Sequence, residues 1–461
     1  MTRLMTTTIL ALTMVLLGST RAPAQTIDEV FRQHVPKMRE VERYQMNIAQ
    51  KYFSEKNWKV ALSEYEKYLT LYERSGAAPY AQLKWSICMA SLRKQNTAIK
   101  EGYQSVIDYW PDSAEAKWAQ YYIGATYRDI GRVPYAKKAL QRLITESPNH
   151  TAAAYAMSIL QAIALDEKDS PTRVKLLKTL TFSVTRDKWN RRICEDASRS
   201  LASYYFAVAA FDDGVTSIET TYKQGPASWP QVVSHVRGPI SSMVGKEETR
   251  TRGIRLADLA LTHVKRQIPT DLSDEKSLAE ARRCHYALID LNNQALREDD
   301  VLKGYQEMIR KFGVDDEILG NLAGWYKGRD NYDEARQIYR RYADPIAGLA
   351  QVASSFREQS DVKSAVAVYR QLQGKDREHL VMWKGQEAAT YRQVKDYPSA
   401  ITVYRELIKI DVQNIPGWLW NIGTAQQDSG MHAEAIGTLR QCEDHFPENY
   451  QRMASCHRAL K

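Results

Sequence analysis

The sequence predicts an all-α chain: an α-solenoid of antiparallel helix pairs in two superhelical halves. Three observations predict it. Small residues return at a near-constant step, since Val301, Ala335, Ala365, Ala400 and Ala435 lie 34, 30, 35 and 35 residues apart. A fixed period of that size marks stacked helical units. Around these positions apolar residues fall at three- and four-residue spacing, which gives each segment one apolar helical face. Glycine (22) and proline (15) are sparse in 461 residues, and no low-complexity tract appears, which excludes a disordered chain.

In chain order, residues 1–24 read as a signal peptide. Arg3 precedes the apolar run Ile9 to Leu17, and Ala22-Pro23-Ala24 forms an A-x-A site. The run is too short for an ordinary spanning helix. Cleavage before Gln25 is expected, with an uncleaved membrane anchor as the alternative. No later stretch is apolar enough to span, so the mature chain is expected in the periplasm or secreted. The net charge of +9 falls to +7 when Arg3 and Arg21 leave. Without a long basic block this mild excess gives no support for a nucleic-acid partner.

Residues 25–224 hold the N-terminal repeats. A helical lead covers Ile27 to Met38. The first pair is marked by Ile48-Ala49, Tyr52, Ala61 and Tyr65, the second by Leu83, Trp85, Ala98 and Tyr103. The third has Ile123-Gly124-Ala125-Thr126-Tyr127, Gly131, Ala136, Leu140 and Pro148. Pro111 and Pro148 stop helices, and Asp112 and Asn149 are expected to cap the next ones. The frame then decays. Ala152 to Leu165 with Thr172 to Leu180, and Ile193 to Ala210 with Asp213 to Lys223, are expected as pairs. Gly225-Pro226 to Gly253, with Gly238-Pro239 and a charged run, is expected as a linker or irregular break between the halves.

Residues 254–449 restore the repeat, and 450–461 are expected as a capping helix. The short 30-residue step fits the turn Ala343-Asp344-Pro345. Tyrosines fill the grooves: Tyr65, Tyr305, Tyr339, Tyr369 and Tyr404 on second helices, and Tyr52, Tyr127, Tyr326 and Tyr391 on first helices. Cys88, Cys194, Cys284, Cys442 and Cys456 include no C-x-x-C pair. Cys442 and Cys456 are either small buried hydrophobes or a disulfide.

The frame Ala388-Ala389-Thr390-Tyr391, Ala400-Ile401, Tyr404, repeated as Ile422-Gly423, Ala435-Ile436, Leu439 and Pro447, resembles the tetratricopeptide repeat (TPR). With the signal segment it is similar to TPR proteins of the bacterial envelope, the outer-membrane assembly and Tol-Pal coordinator kind. The resemblance implies a TPR superhelix that binds a partner protein in a concave groove.

No nucleotide loop, nucleophile elbow or H-E-x-x-H zinc motif occurs. No cofactor and no metal are expected. Cys284 and His285 are adjacent on a helix, so their side chains diverge by roughly 100°. Asp299-Asp300 and Asp315-Asp316-Glu317 precede helices, where negative charge is favoured. One feature exceeds the packing pattern. Lys327, Arg357 and Arg392 directly follow the first-helix aromatics, as Arg128 follows Tyr127. On the side that the resemblance assigns to the groove, beside Gly324, Ala350, Gly385 and Ala389, they read as a basic ladder for an acidic peptide or C-terminal carboxylate. Trp420 would be its aromatic wall. The competing reading is a solvated charged face. The asparagine–lysine carboxylate clamp of some chaperone-binding TPR proteins is not matched, with Asn421 alone in place. Two functions stand: a non-catalytic envelope scaffold, and a helical-solenoid enzyme or accessory subunit acting on cell-wall glycan.

Overall fold

The computed structural model describes residues 24–222 and 224–461; the expected signal segment lies outside them except for Ala24. The chain divides into two compact units. One runs to Ile268 and takes in Gln294–Leu296; the other comprises Pro269–Asn293 and Arg297–Lys461.

The first unit opens on the lead helix Ala24–Arg32 and a short turn Val35–Lys37. Antiparallel pairs follow: Glu40–Ser54 with Trp58–Leu71, Ala78–Ser91 with the helical run through Gln95–Thr97, Ala98–Tyr103 and Gln104–Tyr109, and Ala114–Asp129 with Val133–Glu146. The degenerate stretch keeps the plan, with Thr151–Asp166 against Ser170–Lys178 and Arg191–Ala207 against Phe211–Glu219.

The expected irregular break is instead a helix. Trp229–Val244 pairs with Arg250–Lys265, and Trp229, Val232, Val236, Ile240 and Val244 are buried. Glycine and proline suggested a linker there, but the apolar face of this helix has a partner to pack on, and burial overrides local propensity.

In the second unit Asp316–Lys327 pairs with Tyr332–Tyr339, Pro345–Glu358 with Val362–Lys375, Leu380–Gln393 with Tyr397–Ile410, and Ile415–Asp428 with His432–Arg440. These follow Glu275–Gln294 and Glu298–Phe312, and Glu448–Ala459 closes the series. The periodic small residues are the points of closest packing. Ala61, Ala98, Ala136, Val301, Ala335, Ala365, Ala400 and Ala435 are all fully buried. At Gly124 an added Cβ would lie 2.4 Å from Leu140 Cγ, so even a methyl group would force the pair apart. The 30-residue step needs a second such contact. A Cβ at Gly348 would stand 2.3 Å from the Tyr339 carbonyl oxygen, because the shortened turn brings two backbones together.

In every pair but Trp229–Val244 with Arg250–Lys265, where Gly245 has φ −70°, the chain reverses through one residue in the left-handed region. Lys56, Arg93, Lys168, Ala209, Leu296, Asp330, Ser360 and Lys395 have φ between 58° and 64°, and glycine takes the same place at Gly131 and Gly430. Asn57, Asp169, Asp361 and Asp396 follow directly, and each side chain accepts from the backbone N–H three residues on. The reversal and the N-cap of the second helix are thus one device.

Two expected caps sit one residue off. Ser113, not Asp112, accepts from Ala116 N–H at 3.1 Å, and His150 Nδ1, not Asn149, accepts from Ala152 N–H at 3.1 Å. Cys442 and Cys456 are free and buried. The Asn449 amide donates to the Cys442 carbonyl at 2.8 Å and ties the closing helix down.

Candidate partner-binding surface

Lys327, Arg357 and Arg392 lie in the last turns of three successive first helices, each following a half-buried aromatic residue. Stacking puts the next first helix beside each of them. Lys327 Nζ lies 2.7 Å from Glu358 Oε2, Arg357 Nη1 donates to Gln386 Oε1 at 2.8 Å, and Arg392 Nη2 donates to Asp428 Oδ2 at 3.2 Å. Gln393 Nε2 adds a bond to the Arg357 carbonyl at 3.3 Å.

A basic ladder was expected. Here cation and acceptor alternate along the row, because residues about one repeat apart become spatial neighbours. The lysine and arginine side chains remain 23% and 28% exposed, and their carboxylate partners 41% and 39%. Exposed pairs of this kind are worth only about 0–1 kcal/mol each. Gly324 and Ala389 are exposed beside the row, and Ala350 and Gly385 are half-buried.

Trp420 is half-buried, with its ring 5.8 Å from Phe446 and the Arg452 guanidinium 5.3 Å above it. Its indole N–H is buried without a hydrogen-bond partner. Arg128 holds the corresponding place in the other unit, in the last turn of Ala114–Asp129.

The first unit carries a cluster that the sequence reading missed. Lys84 is 1% exposed, and its ammonium lies 2.7 Å from Asp28 Oδ1 of the lead helix. The same oxygen accepts from the Tyr80 hydroxyl at 2.6 Å, and Gln50 Nε2 donates to that hydroxyl at 2.9 Å. The ammonium also stands 4.1 Å from the centre of the Phe53 ring, a cation–π distance. Burial pushes the Lys84 ammonium below the usual lysine range, and Asp28 opposes that shift. A cavity of about 640 Å³ opens beside it, lined by Asp28, Phe31, Gln50, Phe53, Trp58 and Lys84. The available signal was a lysine four residues before Cys88, beside the apolar pair Leu83 and Ile87.

Cys284 and His285 are both buried. Burial pushes the Cys284 thiol up to about 11, so it is not a thiolate at neutral pH. The His285 ring meets Phe312 edge-on at 5.4 Å. Asp315 accepts from the N–H groups of Glu317 and Ile318 and caps its helix. Among the described residues no group of three or more His, Cys, Asp or Glu is placed to hold a metal ion, and no helix is long and apolar enough to cross a membrane.

Residues 118–150 match the family model described as tetratricopeptide repeat. They span most of the Ala114–Asp129 and Val133–Glu146 pair. No curated protein matches the chain. Among solved structures it is similar to a chain of the APC/C hetero-tetramer Cut9-Hcn1, at 13% identity and a TM-score of 0.26, covering 96% of this chain and 100% of that one. The P58(IPK) TPR domain is 12% identical, with a TM-score of 0.22 and coverage of 91% and 98%. A tetratricopeptide repeat protein from Parabacteroides merdae ATCC 43184 is 9% identical, with a TM-score of 0.23 and coverage of 66% and 95%. TM-scores this low carry no argument. The repeat assignment rests on residues 118–150 and on the consecutive helix pairs.

Proposed function

We propose that this tetratricopeptide repeat protein is an exported, non-catalytic scaffold of the cell envelope, which binds a protein segment along the row Lys327, Arg357 and Arg392. The observation that carries the reading is the row itself. Its cations are held in register by weak, partly exposed bonds to the neighbouring repeat, and an acidic segment or C-terminal carboxylate can take over those donors without disturbing the core. Trp420 and Arg128 are further contacts of the same reading. Export rests on the apolar run Ile9 to Leu17 and on Ala22-Pro23-Ala24. The structures named above are not described as outer-membrane assembly or Tol-Pal coordinator proteins, so the envelope role is not taken from them.

The test is capture of partners from an envelope extract with the tagged full chain. Replacing Lys327, Arg357 and Arg392 together by Gln keeps hydrogen-bonding ability and removes the charge. Capture weakened by added salt and lost in the triple variant supports the row. Capture unchanged in the triple variant makes the row a solvated face.

A further inference from the structure

The lead helix Ala24–Arg32 packs against the first helices Ala78–Ser91 and Ala114–Asp129 of the first unit. Ile27 is fully buried, and Phe31, 6% exposed, stacks on Tyr80 with ring centres 4.4 Å apart. Asp28 receives both Lys84 and the Tyr80 hydroxyl. Glu29 reaches Lys188 at 3.3 Å, 159 residues away in sequence. Just beyond the helix, His34 Nε2 meets the buried Glu115 carboxylate at 3.1 Å. One nine-residue helix thus touches the first helices Ala78–Ser91 and Ala114–Asp129 and the loop before Arg191–Ala207. It spans several repeats, whereas a helix of the stack touches its neighbours.

Without that helix, the ammonium of Lys84, the hydroxyl of Tyr80 and the amide of Gln50 would face an apolar floor of Phe53, Trp58 and Tyr80. Such a seat needs a carboxylate: a buried ammonium left unpaired is costly. It also needs apolar side chains to cover the floor. The lead supplies both from one side of a short helix, because Phe31 lies four residues after Ile27 and three after Asp28.

We propose that this surface is a receptor for an amphipathic helix presenting an apolar residue, an acidic residue directly after it and an aromatic residue three positions later, and that the chain's own lead helix occupies it until a protein partner with that spacing displaces it. The proposal rests on the protein-binding reading above and names the class of partner. The short lead binds as an intramolecular ligand at high effective concentration, so a partner competes only when its own helix is longer or better anchored.

The probe is a fluorescent peptide of residues 25–37, and the receptor is the full chain with Ile27→Asp and Phe31→Asp, which release the native lead. Saturable binding to this variant, at least tenfold weaker binding to the unaltered chain, and loss of binding on adding Lys84→Met or on using a peptide with Asp28→Asn are expected. A variant that stays helical and does not bind the peptide, or equal binding by both chains, overturns the proposal. If the released variant fails to fold, hydrogen exchange on the unaltered chain decides. Amides of Ala24–Arg32 that exchange well before those of Ala114–Asp129 support a displaceable lead; exchange of both only by global unfolding makes it a fixed part of the core and overturns the proposal. The peptide assay uses no extract, so its failure alongside intact capture of partners leaves the scaffold reading standing.

Discussion

Trp418 donates its indole N–H to the Asp411 carboxylate at 2.8 Å, across the turn that joins one repeat to the next. Trp383 and Asp376 make the same bond at 2.9 Å, 35 residues earlier. A seven-residue spacing carries the link from the exit of a second helix to the first turns of the following first helix. It ties two successive joints between repeats in the second unit.

Removing that link should loosen one joint. Trp418→Phe keeps the ring that stacks on Tyr404 and deletes the donor. A hydrogen bond to a carboxylate is worth about 1.5–3 kcal/mol, and partial exposure places this one at the low end. The expected result is a lower urea midpoint with an unchanged helical signal; an unchanged midpoint shows that the bond is incidental.

His150 makes stability depend on pH. Its Nδ1 accepts the capping bond from Ala152, so the cap needs the neutral ring. Burial lowers its pKa from the usual 6.5, Lys117 adds to that, and Asp187 opposes it. A folded-state pKa below the unfolded value means that the unfolded chain binds the proton more readily. The contribution is full above about 6.5 and is lost as pH falls through the lower folded value. His150→Asn retains a capping acceptor and does not titrate. The thermal midpoint of the variant should fall less than that of the unaltered chain between pH 7.5 and pH 5; parallel losses would assign the pH dependence to other groups.

The left-handed turn residues offer a stabilising substitution. Lys395 is exposed with φ at 64°, a conformation that costs a non-glycine residue roughly 1–2 kcal/mol. Lys395→Gly removes that cost and loses part of it to the greater freedom of the unfolded chain. A net gain of about 0.5–1 kcal/mol is expected in denaturant unfolding. A loss would show that the lysine side chain contributes more than its backbone strain costs.

Gly348→Ala tests the short repeat step. The added Cβ would meet the Tyr339 carbonyl oxygen at 2.3 Å, and backbone cannot turn aside as a side chain can. Overpacking costs about 1–3 kcal/mol, and this contact belongs at the upper end. Ala400→Trp, at a fully buried crossing, should be at least as damaging. Either variant unfolding at the unaltered midpoint would mean that the joint is looser than its geometry.

The basic row is better tested by neutral residues than by reversed charge. Glutamate at Lys327 would face Glu358, and glutamate at Arg392 would face Asp428, so a charge-reversed chain would add repulsion within the repeats themselves. Each neutralisation should cost about 0–1 kcal/mol of stability, with a small fall in thermal midpoint that high salt diminishes. A large, salt-insensitive fall would mark the row as part of the core.

The helical class, the pairing of helices, the small residues at their crossings and the burial of the second-helix tyrosines were legible in the sequence, because each follows from local period and side-chain size. Ala335, Ala365, Ala400 and Ala435 need no distant information: a helix crossing at close range admits nothing larger. For Cys442 and Cys456 the sequence left small apolar packing and a disulfide both open, and the structure has them free and buried. The caps at Ser113 and His150 were missed by one residue because proline marks where a helix stops but not which following side chain points back at the free N–H groups. The Trp229–Val244 helix was missed because Gly238 and Pro239 are weak local signals against a buried apolar face.

Tertiary structure alone decided the charges. Sequence order places Lys327 beside Gly328, while stacking places it beside Glu358, so a line of cations becomes a row of bonded pairs. Asp28 and Lys84 are 56 residues apart and share no pattern; they meet because the lead helix is laid across the repeats. Period and residue size fix what each repeat is, whereas the partner of a polar group is set by the chain that folding brings next to it.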